Sequence, residues 1–185
     1  YSSLALKDYV LEIPAVVRHE GRSYRVKAIE KYAFTACCAM KHLKIGEGIE
    51  AISDYAFQAC VNLESVSIPS SIKVVGAAPF LYCTCLTTIV VDKTNPIFDS
   101  RDGCNAIIMT QNNSLIAGCG ATKIPSSVKC IDKYAFMGCI AEEIVIPDGV
   151  EKINFFAFSE CPNLKKIVIP ASVETIEELA FSGCI

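Results

Sequence analysis

The phrase Ala-Phe-x-x-Cys returns at a nearly constant interval along this chain of 185 residues, and few folds can absorb such a repeat. It occurs at Ala33-Phe34/Cys37, Ala56-Phe57/Cys60, Ala135-Phe136/Cys139, Ala157-Phe158/Cys161 and Ala180-Phe181/Cys184, with the variant Pro79-Phe80/Cys83 in third place. Successive Phe positions are 23, 23, 56, 22 and 23 residues apart, so one interval holds a large insertion and another is short by one residue. A period of this size marks a solenoid, in which each unit buries its apolar side only against its neighbours.

More columns appear when the units are laid under one another. Eleven residues before most of the Phe positions lies an Ile-Pro pair, at Pro69, Pro125, Pro147 and Pro170. Upstream of it apolar residues alternate, as in Leu63-Glu-Ser-Val66-Ser-Ile68-Pro69 and Leu164-Lys-Lys-Ile167-Val-Ile169-Pro170. That alternation is strand periodicity, and Pro, lacking an N–H, ends the strand. A second pair follows (Ile49/Ile52, Ile72/Val75, Val128/Ile131, Val150/Ile153, Val173/Ile176), then a polar or Gly residue suited to a turn. Phe and Cys, three apart, share one face of a short helical or 3₁₀ turn. Each unit thus reads as strand, turn, second extended piece and one helical turn. A large apolar side chain contributes ~1.5–3 kcal/mol when buried, and only stacking hides these.

Three irregularities stand out. Between Cys139 and Pro147 one residue and the Leu of its column are missing, so that coil is expected to be thin. Residues 93–121 form an insertion with two apolar runs around Gln111-Asn-Asn-Ser114, the pattern of a β-hairpin. Pairing Ile108 with Leu115 and Ala106 with Ala117 sets Cys104 opposite Cys119, within reach of a disulfide, with free thiols as the alternative. Near the start, Val16 to Val26 has a turn at Glu20-Gly21, a second hairpin that caps the first coil within residues 1–34.

Eleven cysteines would suit a secreted disulfide framework, but six recur in register with core Phe and read as small buried thiols. The net charge of −3, without basic runs, speaks against a nucleic-acid partner. No apolar stretch is long enough for a transmembrane segment, and Tyr1-Ser-Ser-Leu4 lacks the start of a signal peptide. The chain stops at Cys184-Ile185, just before the next strand is due, which reads as a fragment of a longer protein; end-to-end self-association of the last coil is the alternative.

The column set Leu-x-x-Ile-x-Ile-Pro-x-x-Val-x-x-Ile-x-x-x-Ala-Phe-x-x-Cys resembles the BspA-like class of leucine-rich repeat, best at Leu63 to Cys83 and Leu164 to Cys184. Departures are Gly46 and Asp92 in the Pro column, Met40 in the Leu column and Pro79 in the Ala column. The resemblance covers roughly residues 12–185 and implies a right-handed β/α superhelix of about six repeats of 22–23 residues, and the unbroken periodicity makes residues 1–185 one solenoid. It also implies a bacterial protein that is secreted or held at the cell surface, an adhesin or binder of host extracellular matrix. No ligand pocket or catalytic set comes with the family.

The residues agree on chemistry. No hydrolase elbow, phosphate loop or His-Glu-x-x-His motif occurs, and His42 with Cys37 or Cys38 lacks an orienting third group. Cys83-Thr-Cys85 lacks zinc-ligand spacing, and the Asp99 to Asn105 turn, although oxygen-rich, lacks a closing Glu for calcium. We therefore expect no enzyme, no metal and no cofactor. The candidate protein-binding face is the outward side of the strands: Lys41, His42, Lys44, Glu64, Ser65, Ser67, Thr87, Thr88, Glu143, Lys165 and Lys166. Glu142/Glu143 and Lys165/Lys166 are placed to pair across neighbouring coils. An architectural spacer in a larger surface protein is the competing reading, because the face mixes charge signs and is short of aromatics.

Overall fold

The computed structural model describes residues 9–184; the Tyr1–Leu4 stretch read above and Ile185 lie outside them. The chain winds as a β-solenoid. The alternating segments Val10–Ile13, His42–Ile45, Ser65–Ile68 and Thr88–Val91 lie side by side as a parallel four-stranded sheet. Leu43, Ile45, Val66, Ile68, Ile89 and Val91 point inward and are buried, while the residues between them face out. After the Pro column come the shorter strands Ala28–Ile29, Ala51–Ile52 and Val74–Val75, which form a second parallel stack. Both columns resume beyond the insertion. Glu143–Val145 pairs with Lys166–Val168, and Cys130–Ile131, Lys152–Ile153 and Thr175–Ile176 stack in order.

The Ala-Phe-x-x-Cys segments close each coil with bonds three residues back: Ala33 N–H to Glu30 O, Thr35 to Tyr32 and Cys37 to Phe34, at 3.1–3.2 Å. That is 3₁₀ reach, but Tyr32 and Ala36 have φ of 61° and 57°, so the turns do not run on into a helix. The same two left-handed positions recur at Tyr55/Ala59, Ala78/Tyr82 and Phe156/Glu160. The one helix assigned among the described residues is a 3₁₀ piece, Arg101–Gly103.

Phe rings stack coil on coil. Centroids are 5.3 Å apart for Phe34–Phe57, 5.7 Å for Phe57–Phe80, 5.0 Å for Phe136–Phe158 and 5.3 Å for Phe158–Phe181. Beside them runs a ladder of thiols, each donating to the Phe carbonyl of the preceding coil. The distances are 3.1 Å for Cys60 to Phe34, 3.2 Å for Cys83 to Phe57 and for Cys161 to Phe136, and 3.0 Å for Cys184 to Phe158. A thiol is small enough for the slot and supplies a weak donor that Ala lacks. All eleven cysteines are free.

The insertion forms a wall inside the solenoid. Strands Ile107–Met109 and Ser114–Ala117 pair antiparallel, and the second then pairs parallel with Cys130–Ile131, taking the place of a second-column strand. All four residues of Ser114–Ala117 are buried. Ile107 and Ile116 pack on the core before the wall, Ile108 and Leu115 on the core after it. Phe98–Asp99 adds a further strand beside Ile107–Met109.

Register departs from the sequence expectation at one residue. Ile108 does face Leu115, but Ile107 faces Ala117, which leaves Ile116 as a bulge. The expected Ala106–Ala117 pairing is therefore absent, and Cys104 and Cys119 are slipped out of opposition. Instead, the Cys119 thiol donates to Asn105 O at 3.4 Å.

In the thin coil, Ala141 packs against the core where other coils place a Leu. The wall likewise carries no Phe. Gly118 occupies that column, donating its N–H to Ala135 O as Phe57 does to Pro79 O, and a Cβ there would come within 2.3 Å of Phe136. Tyr82 spans the gap: its ring covers Gly138, and its hydroxyl donates to the Glu160 carboxylate.

Gly46, in the Pro column, is needed for close approach, since a Cβ would meet Ile13 O at 2.6 Å. The early hairpin forms from Val16–His19 and Arg22–Arg25 around Glu20 and Gly21, both at positive φ, as a two-residue primed turn requires. All eight of its strand residues are exposed.

Candidate functional site

Because each coil advances the chain by 23 residues, equivalent outward residues align in rows. His42, Ser65 and Thr88 form one row, and Lys44, Ser67 and Val90 the next. Lys41 binds Glu64 at 3.0 Å just ahead of the strands, and Thr87 follows, with its hydroxyl on Glu64 O at 3.4 Å. Glu143 and Lys166 belong to a separate pair of strands beyond the wall, with Lys165 just ahead of the second, so the eleven positions fall into two patches.

Charge on both patches is compensated locally. Glu12 pairs with Lys44 at 3.2 Å, Glu142 with Lys165 at 3.1 Å and Glu143 with Lys166 at 2.6 Å. The last two are the cross-coil pairs that the spacing suggested; Glu12–Lys44 is a further one. His42 Nδ1 lies 2.8 Å from Ser65 Oγ, so the two satisfy each other across the sheet. A second ladder, unread in the sequence, runs along the short strands through Lys27, Glu50 and Lys73, then Lys129–Glu151 and Lys152–Glu177. Hydrogen bonds from Lys27 and Lys73 hold the exposed Glu50 carboxyl down at about 2.

The strand face ends in a groove. At Asp92 the four-stranded sheet stops, because the Asp92 carboxylate takes Thr94 N–H at 2.8 Å and turns the chain. Buried Asn95 fixes the turn, donating to Pro69 O and Ile72 O at 3.0 Å and accepting from Ile97 and Phe98 N–H. The space beside Thr88–Val91, about 650 Å³, is bounded opposite by Arg101 to Gly103 and Asn105. A neighbouring hollow of about 510 Å³ reaches Glu12 and Glu47, and the two share Val90 and Asp92 as walls.

The oxygen-rich turn considered for calcium is occupied by a cation of its own. Arg101 forks onto Asp99 at 2.6 and 2.8 Å and reaches Asn113 at 2.8 Å. Burial works against Asp99 ionising, yet the Arg101 bonds hold its carboxyl below the ordinary value. Among the described residues no three His, Cys, Asp or Glu side chains gather as a metal site. Two of the buried thiols are poor nucleophiles: burial pushes Cys139 up to about 11 and Cys161 up to about 12. No helix among the described residues is long and apolar enough to cross a membrane.

Comparison with known proteins follows the same columns. The BspA type leucine rich repeat region matches in six copies, over residues 22–102 and 113–185. A leucine-rich repeat protein from Bacteroides ovatus ATCC 8483 superposes over 95% of this chain and 37% of its own length, with a TM-score of 0.53 and 31% identity. One from Eubacterium ventriosum ATCC 27560 gives 0.54 at 20% identity, over 94% of this chain and 63% of its own. The leucine-rich repeat protein of T. pallidum gives 0.51 at 20% identity, over 91% and 70%. The latter two show the fold alone. The comparison with curated proteins found no match. With its repeat columns matched over most of their length, the chain belongs to the BspA-type leucine-rich repeat family.

Proposed function

We propose that this chain is a non-enzymatic, extracytoplasmic repeat module that binds another protein, at a cell surface or in host matrix, through the outward face of its strand stack. The observation that carries this reading is the open face itself. Rows His42/Ser65/Thr88 and Lys44/Ser67/Val90 present polar and small side chains on a rigid sheet beside a groove. Loops or strand faces held by a rigid scaffold are where repeat proteins bind. Membership of the BspA-type family supports the location. For a non-enzymatic role, His42 and Ser65 lie on an open face outside both grooves, and burial disfavours ionisation at Cys139 and Cys161. Residues 1–34 and 93–121 serve in this reading as cap and insertion of one solenoid.

The test is surface plasmon resonance of the purified chain against a panel of extracellular matrix proteins, with Ser67→Arg as the face variant. Saturable binding that the variant abolishes, with its melting temperature unchanged, supports the reading. A second reading, an architectural spacer, is favoured by the pairing of Lys and Glu across coils, which compensates charge along the strand rows. A spacer binds nothing on the panel. End-to-end self-association belongs to that reading too, since Ile176 and Leu179 of the last coil are exposed.

A further inference from the structure

Three of the chain's four arginines, Arg18, Arg22 and Arg25, lie in the exposed hairpin Val16–His19/Arg22–Arg25. Elsewhere the surface cations are mostly lysines held by Glu, but no ion pair engages these three among the described residues. Val16 is 50% and Tyr24 48% exposed on the same ribbon. Arg and Tyr beside apolar side chains is the composition of interface centres rather than of solvated surface. A two-stranded ribbon is also marginal alone and gains from a third strand.

The groove along Thr88–Val91 offers that strand. Thr88 and Asp92 donate their N–H groups back to Glu64 O and Ile68 O, so by the alternation of a parallel ladder the backbone N–H groups of Ile89 and Val91 are directed to the free edge of the sheet, while their side chains stay in the core. Ser100 Oγ takes Val91 N–H at 3.0 Å; for Ile89 no outward backbone bond is formed among the described residues. The Glu12–Lys44 and Asp99–Arg101 pairs cancel, which leaves Glu47, Asp92 and Asp102 facing one further cation, Lys93. The groove is therefore acidic and the hairpin basic.

Their placement also matches. Ala15, at the base of the hairpin, lies against Gly46 and Gly48, which flank Glu47 at the groove's end. Ribbon and groove thus share one side of the solenoid. We propose that two copies of this chain associate about a two-fold axis, each laying its Arg-rich hairpin along the other's groove as a strand added to Thr88–Val91. Reciprocal exchange of this kind is the isologous arrangement most common among homodimers, and strand addition is an established recognition mode. The inference stands independently of what the strand face binds.

Sedimentation velocity of the chain over a concentration series, at low and high salt, tests it. A reversible dimer that weakens with salt is expected. Arg18→Glu/Arg22→Glu/Arg25→Glu and, separately, Glu47→Lys/Asp102→Lys should each raise the dimer Kd by roughly tenfold or more. An equimolar mixture of the two variants should restore association, because both hairpin–groove contacts are then again of opposite sign. Thermal melting of each variant shows that it is folded, and recovery in the mixture rules out simple misfolding. A chain that stays monomeric overturns the proposal. So does a dimer indifferent to the hairpin charges but lost in Ile176→Lys/Leu179→Lys, or a hairpin that binds heparin while the chain remains monomeric.

Discussion

Tyr82 in the third repeat donates its hydroxyl to the carboxylate of Glu160, 78 residues further on, and its ring fills the place where Gly138 has no side chain. The contact bridges the wall made by residues 107–117 and ties the coils before it to those after. It also marks one tyrosine out. The hydrogen bond to Glu160, with burial and the nearby negative charge, pushes the Tyr82 phenol up to about 12 from its usual 10. A raised folded value favours the neutral form. Its contribution to stability is thus full below pH 10 and is lost as pH climbs towards 12. Burial also raises Tyr55, so spectrophotometric titration should show late-titrating tyrosine of which the latest component disappears in Tyr82→Phe; an unchanged titration in that variant contradicts the contact.

Gly138 should tolerate nothing larger. Its φ is +71°, and a Cβ would lie 2.5 Å from the Tyr82 ring. Gly138→Ala combines a left-handed penalty with overpacking, each about 1–3 kcal/mol. Urea denaturation should show this loss, and the Tyr82→Phe background should not relieve it, because the ring remains. Wild-type stability in Gly138→Ala would mean that the ring is elsewhere.

The Phe stack predicts a gradient. Phe57 is fully buried with rings on both sides, whereas Phe181 is half-buried and, among the described residues, stacks only on Phe158. Phe57→Ala should cost ~3–5 kcal/mol, since rigid coils on either side cannot collapse into the cavity. Phe181→Ala should cost clearly less. Equal losses in chemical denaturation would contradict the ladder.

The thiols should divide into two classes. Cys38 and Cys85 are exposed, while Cys60, Cys83, Cys139 and Cys161 are buried. Hydrogen bonding to Cys60 and burial raise the Cys83 thiol, and burial raises Cys139 and Cys161; the bond with Cys83 lowers Cys60, which is protected by its burial alone. Brief alkylation of the native chain near neutral pH, read by mass spectrometry, should label Cys38 and Cys85 first. Equal labelling of Cys161 would remove the ladder.

The Phe57 and Cys60 columns were legible in the sequence because every coil makes its core from equivalent residues. The cross-coil pair Glu143–Lys166 was legible for the same reason, and the same spacing would have revealed Lys27–Glu50–Lys73. Left-handed backbone at Tyr32 and Ala36 left no such signal: its usual marker is Gly, which stands in that role only at Gly138 and Gly183 in these turns. In the sequence the wall reads as a hairpin but not as an interior one. Period-2 reading assumes one wet face, and Ile107 and Ile108 are consecutive residues buried in opposite cores. The groove beside Val90 was invisible because it exists only where the sheet stops, and that depends on how Asn95 pins the turn.

That wall is the centre of the account, because it joins two cores into one solenoid and leaves the sheet edge open beside it. Hydrogen exchange tests it most directly. If Ser114–Ala117 is an interior strand, the amide of Leu115 exchanges as slowly as those of Val66 and Ile153 in the neighbouring stacks, and all are released in one global opening. Rapid exchange across residues 107–117 while Val66 and Ile153 remain protected would contradict it, and would make the insertion a surface loop between two independent stacks.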